Sequence, residues 1–208
     1  MASGVRFPPA APMTKKQKNK LVFIFITGNK NKVLEARQIL KDFEIKQCTL
    51  NLPEIQSLKV EEVVKEKAKE AFKIVKKPVL VEDTSLEIKA WNNFPGALIK
   101  FLLESVGVQG IIKMLSGEKN RFAVAKTALG LYDGKNLKVF VGKIEGTISK
   151  KVSGKKGFGW DSIFIPQGLK KTFAQMNSEE KNSLSMRRKA LEKMERYLIK
   201  VKKNTLKN

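Results

Sequence analysis

The stretch 21–27, LVFIFIT, constrains this chain more than any other. Six apolar residues in a row, rich in β-branched and aromatic types, suit a strand covered on both faces, and such a strand needs helices above and below its sheet. The run stops at Gly28-Asn29. In the following NKNKVLEARQILKDF, Val33, Ala36, Ile39, Leu40 and Phe43 recur at helical spacing. The opening unit therefore reads as strand, tight glycine turn and helix. A second strand, IKQCTLNL, comes next, then a helix over about 60–75 with Val63, Val64, Ala68, Ala71 and Phe72 on one face. PVLVEDTSLEI begins as a third apolar strand and is expected to end in its paired acids. The order β-α-β-α-β predicts an α/β domain.

Further along, FPGALIKFLLESVGVQGIIKML reads as a helical pair broken near Gly107. FAVAKTALGLY and LKVFVGKIEGTIS form a hairpin turning at Asp133-Gly134. A glycine-rich loop, SGKKGFGWD, precedes a last strand, SIFIP, and a long basic helix is expected over about 178–200. A length of 208 residues suits one domain. The expected layout is a disordered leader or linker at 1–20, a folded domain at 21–200 and a basic tail at 201–208. The leader carries Pro, Ala and Lys without periodicity, and has no apolar core of the secretory type.

Composition narrows the chemistry. No apolar run approaches the roughly 18 residues a membrane span needs. One cysteine, Cys48, cannot form an internal disulfide, so the cytoplasm is the default compartment. Histidine is absent, which leaves acid–base and metal chemistry to carboxylates and lysines. The 42 Lys+Arg against 20 Asp+Glu give a formal charge of +22. That charge suits nonspecific nucleic-acid affinity, attraction of a polyanionic small substrate, or a lysine bias without a partner. The lysines are spread along the chain, and the aromatics are not interleaved with them as stacking platforms would be.

Three places carry candidate chemistry. Thr27-Gly28-Asn29-Lys30-Asn31-Lys32 lies between a buried strand and a helix N-terminus, where amides and the helix dipole suit phosphate oxygens and Lys32 adds a point charge. It lacks the Gly-Lys-Ser/Thr ending of a Walker loop, and a plain turn with Asn29 as N-cap accounts for it equally. Glu82-Asp83, with Glu54 as a third carboxylate, can hold Mg²⁺ and deprotonate a water, or can be a solvated acidic turn. In 157–161, Phe158 or Trp160 can stack on a purine while Asp161 accepts from a ring N–H, or the aromatics can plug the core. Lys181 and Arg187 sit six apart on the last helix and can reach the same cleft or face solvent.

Taken in order, TGNKNK, LPEIQ, KAKEA, VLVEDTSL, FPGALIKFLLE, GFGWDSIFIP, TFAQM and EEKNSLSMRR resemble the inosine triphosphate pyrophosphatase (ITPase) family of house-cleaning nucleotidases, over about 21–198. The resemblance implies an elongated mixed α/β sheet flanked by helices, with two lobes around a central substrate cleft. It implies Mg²⁺-dependent (or Mn²⁺-dependent) hydrolysis of ITP, dITP and XTP to the monophosphate and pyrophosphate, and a homodimer. By motif, Thr27, Gly28, Asn29, Lys32 and Lys67 would hold phosphates, beside Glu82. Glu54 and Asp83 would hold the metal, and Asp83 would also be the base, with Lys32 and Lys67 as its catalytic companions. Phe158, Gly159, Trp160, Asp161, Lys181 and Arg187 would line the base pocket.

One position departs. The family's last motif ends Ser-His-Arg, where this chain has Ser185-Met186-Arg187. Methionine cannot donate a hydrogen bond to a purine keto oxygen, so base selectivity is expected to relax. The family also occurs inside polyproteins of a few plant RNA viruses, and the missing histidine and odd leader suit such a divergent copy, whose compartment would be the host cytoplasm. The rival readings are a nucleotide binder with weakened catalysis and a nucleic-acid-binding protein driven by charge. The Maf-like nucleotidases share the general fold, but their motifs do not match.

Overall fold

The computed structural model describes residues 21–205, so the expected leader at 1–20 lies outside the described residues. Among them, seven strands form one mixed sheet in the order β2-β1-β3-β5-β6-β7, with β4 paired to β3. The strands are β1 (Val22–Ile26), β2 (Glu44–Cys48), β3 (Val79–Ile88), β4 (Pro95–Gly96), β5 (Phe122–Tyr132), β6 (Leu137–Ile148) and β7 (Phe164–Pro166). The helices are α1 (Lys30–Ile39), α2 (Val60–Val75), α3 (Ile99–Met114), α4 (Ser178–Leu184) and α5 (Met186–Thr205). The expected mixed α/β architecture is what forms. None of the described helices is long and apolar enough to cross a membrane.

The parallel part of the sheet is short and the antiparallel part long, and this contrast builds the molecule. β1 pairs in parallel with β2 and β3, whereas β3, β5 and β6 pair antiparallel along almost their whole lengths. The parallel half has helices on both faces. On one side α1 and α5 bury Val33, Ala36, Leu191 and Met194 against Phe23, Phe25 and Leu129. On the other, α2 buries Val64, Ala68 and Ala71 against Ile24, Val79 and Val81. The far ends of the long strands carry a separate core in which α3, β7 and the segment 160–176 pack Ile111, Leu115, Trp160, Phe164 and Phe173 together. These cores define two lobes joined by the long strands.

Three expectations need correcting. The second strand ends at Cys48, and 49–59 runs without regular structure to α2. Glu82-Asp83 does not end its strand: β3 runs on to Ile88 because β5 pairs with it residue by residue from Val79 to Ile88. The acids nonetheless begin where β1 gives out, since Phe25 stands opposite Leu80 and β1 stops one residue later. Finally, the last helix is two helices. Ser185 is extended (φ −61°, ψ 146°), and its Oγ accepts from the Arg188 N–H at 3.1 Å, capping the start of α5. The Gly107 break is present inside α3, with φ 62° and ψ −179°, and the hairpin turn falls at 133–136.

Candidate active site

Because β1 stops beside Glu82, the turn Thr27-Gly28-Asn29 and the two acids of β3 face one another across the sheet edge. Asn29 is the N-cap of α1: its Oδ1 accepts from the Asn31 N–H at 3.0 Å and the Lys32 N–H at 3.4 Å. The Asn29 N–H itself donates to Thr27 Oγ1 at 3.1 Å. The plain-cap reading is therefore geometrically satisfied in the free chain. Gly28 is different. A Cβ there would meet Thr49 Cγ2 at 3.7 Å, an ordinary contact, and its φ is not in the left-handed region. Nothing among the described residues requires glycine at this position, which leaves close approach of an outside group as a reason for it.

Successive side chains of a strand point to opposite faces, and Glu82 and Asp83 are separated in this way. Glu82 points toward α1 and α5. Its carboxylate accepts from Arg187 Nε at 3.0 and 2.9 Å and pairs with Lys32 Nζ at 3.0 Å. The Arg187 guanidinium also donates to Glu35 Oε2 at 3.0 Å, and Ser185 Oγ donates to Glu35 Oε1 at 3.3 Å. Two acids and two bases thus close a buried network between α1, β3 and the α4–α5 junction. Burial alone would raise the Glu82 carboxyl, but Arg187 and Lys32 override it and hold it down at about 2. Burial likewise works against the Arg187 charge, yet Glu82 and Glu35 raise its affinity for the proton. Glu35 was not singled out from sequence, because an acid within a helical stretch reads as a solvent-facing residue.

Asp83 points toward α2. Its Oδ1 accepts from the Thr84 N–H at 2.8 Å, and no ion pair is formed to it among the described residues. Burial raises its carboxyl above the ordinary range; Lys67, the Thr84 N–H and Lys32 oppose this, while Glu54 adds to it. These groups therefore lie within electrostatic reach of a common space. Lys67, on α2, donates to Glu54 Oε1. Glu54 with Asp83 is a two-carboxylate donor set, short of a pre-built cluster of three or more such ligands, and none of those occurs among the described residues. Oxygen donors in that number fit Mg²⁺ or Mn²⁺, which keep waters and take the remaining oxygens from substrate phosphates.

Beside these acids a cavity of about 700 Å³ opens between the lobes. Lys32, Glu35, Asp83 and Arg187 line it from one lobe, and Leu103, Phe158, Gly159, Trp160, Asp161, Lys181 and Met186 from the other elements. Thr27, Gly28, Asn29, Glu54 and Lys67 stand outside that lining. The glycine loop splits its aromatics. Trp160 is buried edge-on against Phe164, with ring centroids 5.4 Å apart, and so plugs the core. Phe158 keeps 58% of its surface exposed, with Lys181 Nζ 4.8 Å over its ring. Asp161 Oδ2 accepts from the Phe158 N–H at 2.8 Å and from Lys181 Nζ at 2.5 Å. Gly157 permits that wrap: its φ is +79°, and a Cβ would strike Asp161 Oδ2 at 2.1 Å. Met186 is buried at the start of α5, beside the network but outside it.

A mixed α/β cleft with a buried ion network on one side and, on the other, a raised carboxyl without an ion pair among the described residues defines the class of site. The Ham1 family profile matches residues 23–197, and this chain belongs to that family. It is similar to the dITP/XTP pyrophosphatase of Saccharolobus solfataricus, with 42% identity covering 83% of this chain and 91% of that one. It is also similar to the inosine triphosphate pyrophosphatase of Schizosaccharomyces pombe, with 46% identity covering 84% and 94%. Among solved structures it resembles a HAM1 protein from Coxiella burnetii, with a TM-score of 0.78 and 27% identity over 86% of this chain and 99% of that one.

Proposed function

We propose that this chain hydrolyses non-standard purine nucleoside triphosphates (ITP, dITP, XTP) to the monophosphate and pyrophosphate, using Mg²⁺ or Mn²⁺ at Glu54 and Asp83. The observation that carries the reading is Asp83: a half-buried carboxyl with no ion pair among the described residues, raised by desolvation, within electrostatic reach of Lys67, Glu54 and Lys32 and at the edge of a nucleoside-sized cavity. The relatives named for dITP/XTP and inosine triphosphate pyrophosphatase activity support the substrate class.

In this reaction a water oxygen bonds to the α-phosphorus, the bond from that phosphorus to the oxygen bridging toward the β-phosphate breaks, and pyrophosphate leaves. Asp83 takes the proton from the water; its raised basicity suits that task. Lys32 and Lys67 hold phosphate oxygens, Lys32 steadied by Glu82, and Lys67 exchanging its Glu54 contact for phosphate. The cation, when bound, withdraws charge from the phosphate oxygens and lowers the pKa of its waters. Phe158 offers the stacking face, and Asp161, Lys181 and Arg187 supply polar groups to the base. A homodimer is part of the proposal, supported by the family resemblance and by the exposed apolar Phe101, Val106 and Met114 of α3; sedimentation velocity tests it.

Pyrophosphate release from ITP, dITP, XTP, dUTP, ATP and GTP, with Mg²⁺ and with EDTA, tests the main reading, and Asp83→Asn serves as the control. Release from none of these substrates would overturn it and favour a weakened nucleotide binder. Met186 adds a specific expectation. A buried thioether cannot satisfy a keto oxygen, so discrimination between ITP and ATP should be shallow and should sharpen roughly tenfold in kcat/KM in Met186→His, about one hydrogen bond's worth. A steep ITP preference that Met186→His leaves unchanged would remove Met186 from the account.

A further inference from the structure

The lysines are dispersed in sequence, yet the fold gathers six of them onto two adjoining loops. Lys150, Lys151, Lys155 and Lys156 lie between β6 and Phe158, and Lys170 and Lys171 lie after β7. All six are exposed, and the segments 149–157 and 167–172 carry no acid. The loops are fastened together. Thr172 Oγ1 donates to the Ser153 carbonyl at 2.6 Å, and the Lys156 N–H donates to the Ala174 carbonyl at 3.1 Å. Gly154 lies so close beneath that a Cβ would meet the Ala174 backbone at 2.3 Å. The lysine pairs are therefore held at fixed places rather than waving independently.

Several lysines elsewhere are answered by neighbouring acids. On α2, Lys69 and Lys73 pair with Glu66 and Glu70, Lys59 pairs with Glu62, and Lys126 sits between Glu61 and Glu87. None of the six loop ammoniums has an ion-pair partner among the described residues. Nor does the candidate reaction absorb them, because only Lys156 lines the cavity. Six unpaired cations on a shared surface exceed what one bound triphosphate needs, and they suit a chain of spaced phosphates. At the patch's edge, Phe158 exposes an aromatic face on which a base can stack. An anionic bilayer fits less well: in these two segments Leu169 is the large apolar side chain left exposed, too little to insert.

We propose that the loops 149–157 and 167–172 form a binding surface for single-stranded nucleic acid, contacted through its phosphates without sequence preference. The surface adjoins the nucleotide site at Lys156 and Phe158 and extends beyond it along the two loops, and binding along the loops leaves pyrophosphate release to the cleft. The test uses the full chain and a fluorescent single-stranded oligonucleotide of about 20 nucleotides, followed by anisotropy across a salt series. A variant changing Lys150, Lys151, Lys155, Lys170 and Lys171 to Gln should raise Kd at least about tenfold and flatten the slope of log K against log salt by up to about 3.5, given about 0.7 per phosphate contact. A variant with the same loss of charge, changing Lys65, Lys69, Lys73, Lys76 and Lys135 to Gln on α2 and the turn at the other end of β6, should keep the wild-type slope.

Equal loss in both variants would overturn the proposal, since net charge alone would then explain binding. So would absence of oligonucleotide binding by the unmodified chain, or preference for phosphatidylserine vesicles over the oligonucleotide. Pyrophosphate release measured on the first variant separates the two readings. Retained turnover with lost oligonucleotide binding supports a distinct surface; loss of both would place these lysines in the nucleotide site and overturn it.

Discussion

The two faces of β3 treat neighbouring carboxyls in opposite ways. On the α1–α5 face, Glu82 is enclosed with Arg187, Lys32 and Glu35, and its carboxyl is held down at about 2. On the α2 face, one residue on, Asp83 is half-buried, has no ion pair among the described residues and is raised. Strand periodicity alone separates them, since adjacent residues of a strand cannot share a face. The difference teaches a division of labour. An acid whose charge is fully answered is fixed in one state and serves as scaffold, whereas an acid whose charge is unanswered is poised to take a proton or a cation.

Removing the poised acid should do most to activity and least to the fold. Asp83→Asn is expected to lower kcat by about 10²–10⁴-fold while the melting temperature holds or rises, because burying a carboxylate without an ion pair is itself costly. Pyrophosphate-release kinetics beside thermal unfolding would check this, and activity within a few-fold of wild type would collapse the contrast between the faces. Glu82→Gln should show the reverse emphasis. It leaves Arg187 and Lys32 as excess buried charge, and breaking such a network costs on the order of 3–5 kcal/mol, read as a lower urea midpoint. A Glu82→Gln protein as stable as wild type would mean the network is not what secures α5 to β3.

The glycine loop gives a smaller version of the same comparison. Trp160→Ala opens a hole against Phe164 and Phe173 and should cost about 3–5 kcal/mol. Phe158→Ala, at an exposed ring, should change stability within about 0.5 kcal/mol but raise KM by about tenfold through lost stacking. If both variants unfold alike, Phe158 is a core residue after all; if neither moves KM, the stacking role is lost.

How far these features were legible follows from what kind of signal each emits. Strand β1, helix α2 and the hairpin at 133–136 announce themselves through local periodicity and turn residues and form as read, while α1 forms but stops at Ile39, short of Phe43. Segment ends are less visible. Glu82-Asp83 looks like a strand end because two acids interrupt an apolar run, but ten cross-strand partners on β5 carry β3 past them. Ser185 is a residue type that caps helices, yet the polar stretches on both sides of it, SEEKNSL and MRRK, read as one continuous helix and conceal the break between α4 and α5. Glu35 is the clearest omission. It lies 152 residues before Arg187, and only the fold brings that partner to it. The loop lysines show the same limit in part: four of them cluster within 150–156, but only the stitching of 149–157 to 172–174 brings Lys170 and Lys171 beside them.

The pH dependence of stability offers the finest discrimination between the faces. Glu82 has a folded value of about 2 against an ordinary 4.5, so the folded state binds its proton more weakly than the unfolded chain does. Its stabilising contribution is complete above the ordinary value and is lost as pH falls from there toward about 2, with roughly 1 kcal/mol gone by about pH 4. Asp83 has the opposite sign: raised in the folded state, it favours folding when protonated, so its contribution weakens as pH rises through its elevated value. Urea midpoints measured across this range should therefore fall more steeply on acidification in Asp83→Asn than in wild type, because the opposing contribution has been removed. In Glu82→Gln the acid-side fall should flatten. Parallel curves for all three proteins would mean that the two acids do not differ in their folded environments, and the distinction between the faces of β3 would fail at its source.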